Sequence, residues 1–163
     1  MHVVGFSEPF APSRKVSLNA HKWLAVYLHE GIDDCLVYLR EAGYRCLAAV
    51  PPAVDAPPPP ELSIAADRPV ALVYGNEHMG LSDRALELCD GRFSYAMHGF
   101  CESLNLSVSV AVTLSRVVER RRQLLGRVGD LPPTALGQLR AAYYALSTPH
   151  TASLVERSLA GRT

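Results

Sequence analysis

No two of the four cysteines (Cys35, Cys46, Cys89 and Cys101) form a C-x-x-C pair, and nothing resembling a signal peptide precedes them. That pattern speaks against a zinc ribbon or a secreted disulfide scaffold and for free thiols in a reducing cytoplasm. Formal net charge is zero and the pI is near 7.0, so no global field draws in nucleic acid; any such contact needs a local patch. There is no G-x-G-x-x-G, no Walker A, no G-x-S-x-G and no H-E-x-x-H, which counts against a dinucleotide site, a triphosphate site, a serine hydrolase and a zincin. His21, His29, His78 and His98 show no metal-like spacing, so no metal is expected. The longest apolar-rich run, 104–118, carries Asn105, Ser107 and Ser109 and is too short to span a bilayer, so no membrane contact is expected either. No internal repeat is present.

The 163 residues that remain to be explained are 48% apolar and 20% charged, ordinary for one globular unit with a real core. Residues 2–6 read as a short strand and 7–19 as a loop holding Arg14 and Lys15; 23–28 alternate well enough for a second strand. Ile32, Cys35, Leu36 and Leu39 share one helical face, with Asp33 and Asp34 in the first turn and Gly43 where a C-terminal cap belongs. Strands are predicted at 45–50, 70–74 and 92–96, with a helix over 83–89 that Ser82 can cap. The 70–74 strand looks like the middle of a parallel sheet, and the proline run 57–60 reads as extended and exposed. Past Arg122, Gly126 and Gly129 interrupt the helix. Pro132 and Pro133 start another, with Leu136, Leu139, Tyr143 and Leu146 inward, and a last helix is expected over 152–159. The order β, β, α, β, β, α, β, α argues for an open, mostly parallel α/β sheet with helices on its faces.

Two stretches carry the candidate chemistry. Gly75-Asn76-Glu77 follows the carboxyl end of a strand, where glycine lets a ligand come close to the backbone and glutamate can accept hydrogen bonds. Ser103-Leu104-Asn105-Leu106-Ser107 leads into an apolar helix whose N-terminus offers unpaired N–H groups. Ser103, Asn105 and Ser107 are also good helix caps, and the two roles are compatible. Arg116, Arg120, Arg121 and Arg122 gather toward the end of that helix, as a dipole-matched terminus or as an RNA-phosphate patch to which Arg14 and Lys15 would contribute.

Taken together, LVYGNEHMGLSDRALELCD (72–90) and SYAMHGFCESLNLSVSVAVTLSRVVERRR (94–122) resemble the second and third motifs of the SpoU/TrmH family of RNA ribose 2′-O-methyltransferases, in the family's order and spacing. A weaker likeness runs upstream through the 23–28 strand and the Ile32 helix. Downstream, LRAAYYALSTPHTASLVERSLA (139–160) is similar to the tail of TrmH-type members. The resemblance implies a deep trefoil knot in the C-terminal part of the α/β sheet, over a domain at 1–125 with a helical extension at 126–163. It implies S-adenosylmethionine as cofactor, leaving as S-adenosylhomocysteine, and a homodimer acting on structured RNA, most plausibly tRNA, without metal. By position, Gly75, Tyr95, Ala96, Met97 and Leu104 would contact the cofactor. Ala49 stands where many members have a threonine near it. Glu77, Ser103 and Asn105 match residues that shape the catalytic centre.

One departure follows. The family's first motif, N-x-x-A-x-x-R, should precede the strand at 2–6, and the arginine ascribed to activating the ribose hydroxyl has no counterpart; Arg14 does not take its place. The expectation is a shortened version of an ordinary enzyme. The alternative is a knot protein that binds RNA or cofactor without methylating, and a third reading is an unrelated doubly wound domain that binds another nucleotide.

Overall fold

A computed structural model describes residues 1–5, 20–52, 57–60, 68–98, 100, 103–147 and 157. Arg14, Lys15, Cys101 and, except for Arg157, the helix expected over 152–159 lie outside the described residues; Arg157 is helical. Among the described residues there are five strands: β1 (His2–Val4), β2 (Tyr27–His29), β3 (Arg45–Ala49), β4 (Val70–Val73) and β5 (Gly91–Phe93). With them come α1 (Ile32–Glu41), α2 (Asp83–Leu88), α3 (Leu106–Leu125), α4 (Pro133–Ser147) and a 3-10 turn at Ala20–Trp23. The pairings between these strands are all parallel, as the alternation of elements predicts.

The hydrogen-bonded strands form two sheets rather than one: β1–β2, and β4–β3–β5. β3 is therefore the central strand, with Cys46, Leu47 and Ala48 all buried. The 70–74 segment, expected in mid-sheet, is an edge strand among the described residues, and its four residues are only half-buried. The 23–28 expectation is shifted, since 20–23 form the 3-10 turn and the strand begins at Tyr27.

α1 forms where its period says it should. Cys35, Leu36 and Leu39 face inward against Cys46, with Val4, Ala71, Val73 and Leu88 around them. Burying a side chain such as Leu36 or Leu47 contributes about 1.5–3 kcal/mol. The helix stops at Gly43, whose φ of 83° is open to glycine at no cost. There Gly43 N–H donates to Arg40 O at 2.9 Å and Tyr44 N–H to Leu39 O at 2.9 Å, the paired bonds of a Schellman ending. Asp90 locks β3 to the start of β5: Cys46 N–H donates to Asp90 Oδ2 at 2.7 Å and Asp90 N–H to Cys46 O at 2.8 Å.

The chain divides into two compact units. One holds the described residues 2–5 and 27–129; the other joins 20–26 to 130–147. In the second unit the Tyr143 hydroxyl donates to Trp23 O at 2.7 Å and the two rings meet edge to face at 5.2 Å. Leu136 and Tyr143 are half-buried as expected, but Leu139 and Leu146 are exposed, and α4 buries no residue. In the first unit Pro60 is fully buried and Pro57 O accepts from Ser94 Oγ at 3.2 Å, so the proline run is not the exposed excursion its composition suggests.

Leu36→Ala is expected to lower unfolding free energy by about 2–5 kcal/mol in urea titrations. Val37→Ala, one position away and half-exposed at 51%, should change it by no more than about 0.5 kcal/mol.

Candidate functional site

The parallel strands β3, β4 and β5 send their carboxyl ends to one side of the sheet, the usual place for a ligand in an open α/β architecture. A cleft of about 550 Å³ opens there. Its walls come from 49–52 at the end of β3 and after it, 74–81 after β4, 93–95 and 97 along and after β5, and 103–106 at the start of α3. That volume lies within the usual range of small-molecule sites.

The 75–81 loop is built by its own sequence. A Cβ on Gly75 would sit 1.9 Å from Gly80 C, 2.0 Å from Gly80 O and 2.3 Å from Leu81 N, so the returning backbone fills the space a side chain needs. Glycine at 75 thus has a reason inside the fold itself, beside the close ligand approach expected from sequence. Asn76 turns the loop: its Oδ1 accepts from His78 N–H at 3.0 Å and Met79 N–H at 2.7 Å, and its backbone O accepts from Gly80 N–H at 3.0 Å. Gly80, at φ 66°, completes the turn. Ser82 then caps α2, its Oγ accepting from Ala85 N–H at 3.2 Å, as predicted. Glu77 and His78 are exposed at the loop tip and line the cleft.

Asn105 opens α3. Its Oδ1 accepts from Ser107 N–H at 2.9 Å and Ser107 Oγ at 2.6 Å, which satisfies one orphan donor of the first turn. Capping through Oδ1 leaves the Asn105 amide group as the donor of that side chain. Inside α3, only Thr113 is buried, its Oγ1 donating to Ser109 O at 2.7 Å, while Val108, Leu114 and Val118 are exposed at 41–46%. The apolar run therefore does not disappear into this chain's own core.

The cleft brings together Ala49, Gly75, Glu77, Tyr95, Met97, Ser103, Leu104 and Asn105. Ala96 stays outside it and is exposed. The arginines disperse. Arg116 lies over the Tyr95 ring, 5.3 Å from its centre, at the edge of the cleft. Arg121 donates to Arg68 O at 3.1 Å and Arg122 to Val128 O at 3.4 Å, while Arg120 is exposed. Arg122 also precedes a left-handed Gly126 cap, as expected of a basic helix end.

Tyr74 and Thr113 line the cleft without having been singled out in sequence. The Tyr74 hydroxyl is buried and has no hydrogen-bond partner among the described residues. Burial pushes the phenol up, and the neighbouring Thr113 hydroxyl offsets part of that. The signal was present: Tyr74 ends an apolar strand in a hydroxyl, and Thr113 is the one polar residue of Val110-Ala111-Val112-Thr113-Leu114. Of the cysteines, Cys35, Cys46 and Cys89 are free, and burial raises all three thiols, Cys89 to about 11. No described helix is long and apolar enough to cross a membrane.

Residues 3–115 match the model of the SpoU rRNA Methylase family. The chain is 30% identical over 118 residues to a tRNA (guanosine(18)-2'-O)-methyltransferase of Thermus thermophilus, an alignment that covers 72% of this chain and 58% of that one. Against the crystal structure of a TrmH/SpoU tRNA modifying enzyme of A. aeolicus the TM-score is 0.68 at 19% identity, with 91% of this chain and 77% of that one covered. The SpoU methyltransferase AviRb from Streptomyces viridochromogenes, solved in complex with AdoMet, gives 0.61 at 23% identity over 75% of this chain and 49% of that one. The chain thus spans little more than half the length of the Thermus relative.

Gly75→Ala should displace the 75–81 backbone, speeding amide exchange across that loop and lowering the melting temperature. Asn105→Ala should cost about 1 kcal/mol in urea unfolding, whereas Asn105→Asp, which keeps the accepting oxygen, should cost a few tenths at most.

Proposed function

Because the chain belongs to the SpoU rRNA methylase family, we propose that its cleft holds S-adenosylmethionine and serves methyl transfer to a ribose 2′-hydroxyl of structured RNA, tRNA foremost. The observation that carries this reading is the meeting of both motif loops, 75–81 and 103–107, in one cleft at the carboxyl ends of three parallel strands. Relatives named as tRNA guanosine 2′-O-methyltransferases support tRNA as the substrate.

The residues present suit such a cofactor. Apolar side chains of Met97, Leu104 and Leu106 line the cleft together with the buried Tyr74 and the carboxylate of Glu77, a mixed lining for a ligand with apolar and polar parts. Tyr95, Met97 and Leu104 would hold its base, with Ala96 contributing backbone, and Gly75 would border it. Ala49, at the end of β3, would offer the cofactor no hydroxyl. The bound cofactor supplies a methyl group on a positively charged sulfur, which needs no acid to be released.

The work left to the protein is orientation of the ribose and removal of a weakly acidic proton. Asn105, with Oδ1 committed to the helix cap, would present its amide as a donor to the acceptor nucleotide. Glu77 and Ser103 would flank it, the carboxylate accepting from the ribose hydroxyl. Arg116 and Arg120, exposed on α3, would meet RNA phosphates, together with Arg14 and Lys15. The exposed Val108, Leu114 and Val118 favour a second copy of the chain as the cover of α3, and with it a homodimer. A trefoil knot over the C-terminal part and a cytoplasmic setting complete the reading.

Calorimetry with S-adenosylhomocysteine should show binding, and labelled methyl groups should pass from cofactor to unmodified tRNA. Glu77→Ala should abolish transfer, and Asn105→Asp should do so while keeping stability. No cofactor binding at high protein concentration would contradict the proposal. Binding without transfer to any RNA would favour the alternative, a cofactor-binding protein that does not methylate.

A further inference from the structure

Away from the cleft, the parallel pairing of β1 with β2 brings two histidines together. His2 Nδ1 and His29 Nε2 lie 2.9 Å apart, and the Cys35 thiol in the first turns of α1 completes a group whose ligand atoms all lie within 4.8 Å of one another. The rings of Tyr27 and Tyr38 pack on this group, Tyr27 stacked on His2 at 4.8 Å and Tyr38 tilted at 5.5 Å from His2 and 5.9 Å from His29. Both histidines are half-buried and Cys35 is 4% exposed, so the group is recessed without being sealed.

We infer that His2, His29 and Cys35 form a metal site for a zinc-class divalent ion, a clip between β1, β2 and α1. Two imidazoles and a thiolate are a borderline-soft donor set that selects zinc and its neighbours over magnesium or calcium. A tetrahedral zinc, with bonds of about 2.0 Å to nitrogen and 2.3 Å to sulfur, holds its donors roughly 3.3–3.6 Å apart. The observed group reaches that arrangement when the imidazoles part by a few tenths of an ångström and the sulfur closes by at most about 1.2 Å. On binding, the Cys35 thiol gives its proton to solvent and becomes the thiolate ligand. Whichever imidazole donates in the present hydrogen bond moves its proton to its other ring nitrogen, freeing the lone pair that faces the ion. Three protein donors leave one coordination position for water. The ligands are scattered in sequence, which is why spacing alone showed no site.

Such an ion would reinforce the smaller of the two sheets. β1 and β2 are three residues each and pair only with one another among the described strands. The site shares no residue with the cleft, so its test is independent of the methyl-transfer reading.

The test is titration of tag-free, metal-stripped full chain with Co²⁺ and then Zn²⁺. One cobalt per chain should bind with a thiolate-to-metal charge-transfer band in the near ultraviolet, zinc should displace it, and zinc should raise the melting temperature. Cys35→Ser should remove the band. His29→Gln should weaken cobalt binding by at least about tenfold, since even outer-shell partners of a ligand are worth that much. His98→Gln, outside the group, should leave the titration unchanged. Absence of the charge-transfer band in the wild-type chain overturns the inference, whatever the variants do. So does binding of undiminished affinity in a folded His29→Gln protein; the group would then be an aromatic stack around one imidazole–imidazole hydrogen bond.

Discussion

The constraint on which the site depends is the closeness of Gly75 to the Gly80–Leu81 backbone. With a Cβ at 75 fewer than 2 Å from Gly80 C, no other residue permits the loop to fold back as it does. That return lets Asn76 collect the amides of His78 and Met79, delivers Ser82 to the start of α2, and leaves Glu77 at the rim of the cleft. A motif that looks like a ligand-facing glycine turn is first a piece of backbone packing. Its place in the cleft follows from that packing.

A similar economy holds at the other wall. Asn105 caps α3 through Oδ1 and also lines the cleft, so in the proposed function its capping and its chemistry divide between Oδ1 and Nδ2. Arg116, set over Tyr95, connects the basic side of α3 to the same wall. Loop, helix start and strand ends converge because the strands are parallel and end on one side.

Much of this was legible in the sequence because it is local. The period and caps of α1, the Ser82 cap, the strand–helix order and the two motif loops are each fixed by residues near one another in the chain. What depends on distant partners was not. The edge position of β4 and the split into two sheets are set by which strands meet, not by their apolar content. Pro60 is buried and Pro57 O accepts from Ser94, a residue far along the chain. The arginine cluster reads as one patch, yet Arg121 and Arg122 are spent on the carbonyls of Arg68 and Val128. Likewise Leu139 and Leu146 obey helical spacing but find no cover among the described residues. Tyr74 and Thr113 were legible only as exceptions to an apolar pattern, and the His2–His29–Cys35 group only through strand pairing.

The central claim is that the two motif loops and the ends of the parallel strands act as one ligand site. Amide hydrogen exchange with and without S-adenosylhomocysteine tests it most directly, because it reads each wall separately. Protection is expected at 75–81, 93–97 and 103–107 together, with α4 unchanged. Protection confined to one of these segments, or found only outside them, would contradict it.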